Sequence, residues 1–365
     1  MAAGWFAGGE AEVGLHVEAD CPIGALLPHL STQLPNSLNP NKLTNKENVF
    51  LILLCTLKFA ANRRSEGDRL RLKLLAALGA AAMVFASSMA LAAGIVEFGL
   101  KAESPTLGRP IPYAVYTPFP APAEGERWPV VYLLHGLTGA DGDWFTWGNL
   151  GPILDRALAD GRIPPMMVVA PGAGDSWYVD NPDAGGFGLI DTAFATDLVK
   201  AIDAKYPTAK CRQGRAIGGV SMGGVGAVLQ AINHPDTYGA AMSFAGALHK
   251  PLEKNDQRSG WIPGLYQNVF GAPFDRARFN AANPFTLMPK LRRAADKPAF
   301  YFAIGDADFP DLILASAEYH NGLTQLGIDT TLRVTHGRHY WDTWQQQIVP
   351  ALEWLVPKLD PNCGR

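Results

Sequence analysis

The stretch "GRAIGGVSMGGVGA", Gly214 to Ala227, sets one serine, Ser221, between glycines two residues away on each side. The apolar run before Ser221 reads as a strand, and "MGGVGAVLQAIN" after it reads as a helix. A strand that turns at once into a helix forces the residue at the bend into strained geometry. Bulky neighbours would clash there, so Gly219 and Gly223 are the natural flanks. The bend lifts the Ser221 hydroxyl clear of the sheet and aims the helix N-terminus at a reacting oxygen. Glycine-rich turns are common, and strand before with helix after is what makes this one specific. Ser221 is therefore the candidate nucleophile, and an ordinary turn is the plainer alternative.

A serine hydroxyl needs a base to take its proton and a carboxylate to orient that base. With this kind of bend the chain order is Ser, then acid, then His. After Ser221, an apolar strand ends in "GDADFPD", residues 305–311, with Asp306, Asp308 and Asp311. The next strand ends in "THGRHYWDTW", residues 335–344, with His336 and His339. Both clusters follow strand C-termini, where open α/β sheets place their sites. Asp308 is the expected acid, with Asp306 the alternative. His339 is the expected base, with His336 the alternative. His234, His249 and His320 read as ordinary polar residues. The D-x-D-x-x-D spacing offers too few carboxylates for a calcium site.

An oxyanion needs two backbone donors. Met222 supplies one by following Ser221. The run "VVYLLHGLTGADGDW", residues 130–144, is a strand and loop that makes the Leu137 N–H the second. His135 reads as a residue that shapes this loop. Trp144, Trp177, Tyr178 and Trp341 are the expected substrate contacts, with loop packing as the alternative for such aromatics.

The chain of 365 residues carries a net charge of −3, with 48% hydrophobic and 18% charged residues, enough for one large domain and unlike a disordered chain. No basic block speaks for a nucleic-acid partner. Cys21, Cys55, Cys211 and Cys363 lack metal-ligand spacing, so no metal and no cofactor are expected. Apolar strands alternate with helices from Ile95 onward, which indicates an α/β fold with a mostly parallel sheet covered on both faces. Pro350 is expected to kink or interrupt the last helix. Residues 247–297 show little regular pattern and read as a cap-like insertion.

The first 68 residues show no sustained period and read as a disordered or mis-annotated extension. Residues 69–93 place Arg69, Arg71 and Lys73 before an apolar run that closes on "ALAA", the pattern of a secretory signal. A membrane anchor and a core helix are the alternatives. The domain is expected over 94–358, with 359–365 as a tail. Export would permit a Cys211–Cys363 bridge, against two free thiols.

Together "LLHGLTG", "DSWYVDNP", "GRAIGGVSMGG", "GDADF" and "GRHYWDTW" resemble the esterase D-like family of α/β-hydrolases over about residues 95–358. That family includes S-formylglutathione hydrolases, feruloyl esterases and mycolyltransferases. The resemblance implies Ser221, Asp308 and His339 as a triad, with Leu137 and Met222 as oxyanion donors. The expected activity is an exported, secreted or periplasmic serine carboxylesterase acting on a small-molecule ester. An acyltransferase using the same triad, a thioesterase and a non-catalytic binding protein are the alternatives. The oligomeric state is not legible.

Overall fold

In a computed structural model, the described residues are 93–360, apart from 184, 267 and 268, together with 362 and 363. The segments 1–68 and 69–93 thus lie outside the described residues, apart from Ala93.

Eight strands build the central sheet: β1 (Ile95–Ala102), β2 (Ile111–Thr117), β3 (Val130–Leu134), β4 (Met167–Pro171), β5 (Arg215–Val220), β6 (Ala240–Phe244), β7 (Ala299–Gly305) and β8 (Thr330–Thr335). Their spatial order is β1-β2-β4-β3-β5-β6-β7-β8. The pairs from β4 through β8 are parallel, and β1–β2 and β2–β4 are antiparallel. Every residue of β3 through β7 is buried, so these strands carry near-continuous apolar side chains instead of an alternation.

Four helices matter most: α1 (Leu150–Ala159), α2 (Met222–Asn233), α3 (Pro310–Gln325) and α4 (Trp341–Leu355). Helix α2 is buried along nearly its whole length because it sits directly on the sheet behind Ser221. The chain order places β5, α2, β6, β7, α3, β8 and α4 in succession, which is the α/β-hydrolase arrangement.

One expectation changes. Helix α4 is not interrupted at Pro350. Proline removes one N–H from the ladder, and the buried Ile348, Val349, Ala351 and Leu352 hold the helix to the core on either side of it. The run Ile190–Lys205 is helical, but with a π turn at Phe194–Leu198 between two α segments. Residues 247–297 hold only short elements. They form short helices at Ile262–Leu265, Arg276–Ala281 and Pro284–Leu287, each too brief to show a period. Their Tyr266, Phe270 and Phe279 are buried in mutual ring contacts and join the main core.

Candidate active site

Ser221 sits at φ 55° and ψ −114°, between the last residue of β5 and the first of α2. This backbone costs about 1–3 kcal/mol in a non-glycine residue and persists only where the surroundings enforce it. The enforcement is visible. Ser221 N–H donates to Phe244 O at 2.9 Å, and Ser221 O accepts from Gly224, Val225 and Ala247 N–H. The flanking glycines are required by space. A Cβ on Gly219 would strike the Gly223 backbone, and one on Gly223 would lie 2.6 Å from His135 O. The bend is thus pressed against the loop after β3, where Gly136 comes within 3.7 Å of Ser221 Cβ, measured from an added Cβ.

That loop is pinned at three points. Tyr178 Oη donates to His135 O at 3.0 Å. Asp175 Oδ1 accepts from Thr138 N–H at 2.6 Å. His135 Nε2 accepts from Ala173 N–H at 3.0 Å, which leaves its proton on Nδ1, 2.8 Å from Gly136 O. His135 is 1% exposed, and burial pushes its pKa below the ordinary histidine value. It is a neutral clasp that shapes the loop, as its position suggested. Among the described residues, neither Leu137 N–H nor Met222 N–H donates to a protein acceptor.

Asp308 and His339 come together. His339 Nδ1 lies 2.9 Å from Asp308 Oδ1 and 3.1 Å from Oδ2. The Asp308 side chain is fully buried and that of His339 is 19% exposed. Asp308 is further held by Phe309 N–H at 2.7 Å. The alternatives pair with each other instead: Asp306 meets His336 at 3.3 Å, with side chains 51% and 95% exposed. That pair faces water and braces the loops, since Asp306 also accepts from Gly337 N–H. Ala307 N–H donates to Gly337 O, lacing the two loops together. The His339 ring lies 5.2 Å from the rings of both Phe309 and Trp344.

The aromatic expectations need correction. Trp144 is 1% exposed, with Nε1 donating to Leu134 O. Tyr178 is fully buried and spends its hydroxyl on His135. Trp177 is 2% exposed and donates to Leu265 O. These three offer a substrate almost no surface, and they pack the loops. Trp341 is half-buried against Trp144 and Trp344. Among the exposed aromatics, Phe309 at 57% and Tyr340 at 67% are the immediate chain neighbours of Asp308 and His339. Their adjacency to the acid and the base was the available signal.

Among the described residues, no three His, Cys, Asp or Glu side chains group as a metal site would require.

The family model for putative esterases matches residues 104–355. The chain belongs to this esterase family. The esterase is 25% identical over 247 residues to an acetyl esterase of Caldicellulosiruptor saccharolyticus, covering 66% of this chain and 88% of that protein. It is 27% identical over 254 residues to an esterase of Mycobacterium tuberculosis, covering 65% of this chain and 54% of that longer protein. Among solved structures, a ferulic acid esterase aligns with a TM-score of 0.57 at 24% identity, over 73% of this chain and 99% of that one. The esterase thus shares an α/β-hydrolase fold with enzymes of ester chemistry.

Proposed function

We propose that the esterase is an exported serine carboxylesterase that works through an acyl-enzyme on Ser221. One observation carries this reading: a fully buried Asp308 carboxylate holds His339 by Nδ1, directing its Nε2 away from the acid, while Ser221 is kept in a strained bend at the same edge of the sheet. Ser221 Oγ attacks the ester carbonyl as His339 Nε2 takes its proton. The carbonyl electrons move onto oxygen, and the Leu137 and Met222 N–H groups stabilise that oxyanion. Collapse breaks the ester C–O bond, and the leaving alcohol takes the proton from His339. Water then repeats the sequence on the acyl-enzyme, releasing the acid and restoring Ser221.

Export is supported by the 69–93 pattern and by the pairing of Cys211 with Cys363, whose Cα atoms are 5.9 Å apart. The test is fluorophosphonate labelling followed by peptide mapping, together with mass spectrometry of protein recovered outside the cytoplasm. The reading requires the label on Ser221 and an N-terminus close to residue 93 or 94. A label elsewhere removes the mechanism, and a recovered protein that retains residues 1–68 removes the signal.

A further inference from the structure

His249 stands out among the polar residues outside the triad. Its side chain is 7% exposed, yet among the described residues its ring makes no hydrogen bond. Asp311 Oδ2 lies 3.8 Å from Nδ1, beyond hydrogen-bond distance. The backbone around it is fixed, with Asn283 Nδ2 donating to His249 O at 2.7 Å. The ring is wedged edge-on against Trp261 at 5.3 Å and Tyr266 at 6.2 Å. A ring this enclosed that bonds to none of the described residues calls for an explanation.

Its position supplies one. Ala247, two residues before His249, donates its N–H to Ser221 O. Asp311 stands on the first turn of α3, three residues past Asp308. The pair therefore joins the loops after β6 and β7 beside the nucleophile and the acid. Asp311 is 54% exposed and meets no lysine or arginine among the described residues.

We propose that His249 and Asp311 form a subsite for a hydroxyl group of the substrate ester, an inference that rests on the serine-esterase reading. Burial holds the His249 pKa near about 4, with Asp311 opposing and Arg258 reinforcing that shift, so the ring is neutral at working pH. A neutral imidazole with Nδ1–H brings a donor, and the carboxylate brings only acceptors. A hydroxyl satisfies both, accepting from the ring and donating to the carboxylate. An ammonium group would leave the ring donor unpaired. The 45% exposed face of Trp261 adds an apolar wall for the carbon carrying that hydroxyl. The rival occupant is a single water, since His249 also borders a cavity of about 20 Å³ with Trp177, Val225 and Tyr266.

The test uses two ester pairs that differ by one hydroxyl: 4-nitrophenyl butyrate against 4-nitrophenyl 3-hydroxybutyrate, and ethyl butyrate against 2-hydroxyethyl butyrate. The first reads the acyl side and the second the alcohol side. The unmodified enzyme is expected to favour the hydroxylated member of one pair by about tenfold in kcat/KM, the worth of one good hydrogen bond. His249→Phe and Asp311→Asn are each expected to bring that ratio to about one, with KM carrying the change. Asp311 is exposed, so its variant reports even where His249→Phe folds poorly. No preference in either pair, or a preference that survives both variants, overturns the subsite and leaves water as the occupant. Ser221 labelling separates the two readings: an unlabelled serine with an intact hydroxyl preference removes the mechanism and keeps the subsite.

Discussion

His339 Nδ1 and Asp308 Oδ1 are 2.9 Å apart across 31 residues of chain, with the carboxylate wholly sealed from water. The neighbouring Asp306 and His336 form the same kind of pair at 3.3 Å in open solvent. Burial separates the two. A screened surface pair contributes little to orientation, whereas a sealed carboxylate holds an imidazole in one tautomer and one direction.

Ser221→Ala and His339→Ala are each expected to lower kcat by about 10⁴–10⁶-fold. Asp308→Asn is expected to cost about 10⁴-fold by presenting the wrong tautomer. Asp306→Asn and His336→Ala should change kcat by less than about tenfold, because their pair is exposed and braces only the loop. Steady-state kinetics on 4-nitrophenyl butyrate decides this, and a crippled His336→Ala beside a mild His339→Ala would reverse the assignment of the base. Because the proposed sequence of steps runs through Ser221 alone, EDTA is expected to leave the rate unchanged.

Gly223→Ala should be far more damaging than its single added methyl suggests. The new Cβ would meet backbone oxygens of Leu134 and His135, neither of which can move without shifting β3 and its loop. A loss of about 3 kcal/mol or more in stability is expected, of the size reached when strain or overpacking has no relief. Gly260→Ala is the control, since a Cβ there meets nothing within 4 Å. It should stay within about 0.5 kcal/mol of the unmodified protein in denaturant melts.

Stability should fall with acid between about pH 6.5 and pH 4. Burial lowers the folded pKa of His249 to about 4, below the unfolded value. The unfolded chain then binds the proton first, so His249's contribution is complete above about pH 6.5 and is lost as pH falls through about 4. A shift of that size corresponds to the order of 3 kcal/mol. His135 acts in the same direction through its own burial. His234 acts oppositely: burial would lower it, but its bond to Asp191 wins and raises it. Its contribution is therefore present at low pH and lost as pH rises through its folded value. Melting temperatures across pH 4–7 should slope upward with pH, and His249→Phe should flatten that slope.

Removing the Cys211–Cys363 link is expected to cost about 2–5 kcal/mol, since it ties residues 152 apart and frees a long loop in the unfolded chain. Cys363→Ser melts that match the unmodified protein, both without reductant, would show that the link does not constrain the chain.

The order of elements and the candidate nucleophile, acid and base were legible because they rest on local rules. A strand-to-helix bend with glycines on both sides of a serine has few other uses, and the acid and base follow strand ends in fixed order. The buried strands declared themselves as unbroken apolar runs. What tertiary structure alone decided is direction and enclosure. Trp144, Trp177 and Tyr178 sit in loops near the site, and nothing local tells a loop aromatic that turns into the core from one that turns outward. Asp306 and Asp308 stand two residues apart after β7, and His336 and His339 three residues apart after β8. Only the packing of the loops after β7 and β8 sealed Asp308 and left Asp306 in water. The same holds for His249, an unremarkable loop histidine by sequence. Its significance lies in the side chains around it, which come from segments 12 to 62 residues further along the chain, at Trp261, Tyr266 and Asp311. Local chemistry is written in order along the chain, but burial and pairing depend on distant residues meeting, and that is settled only when the core closes.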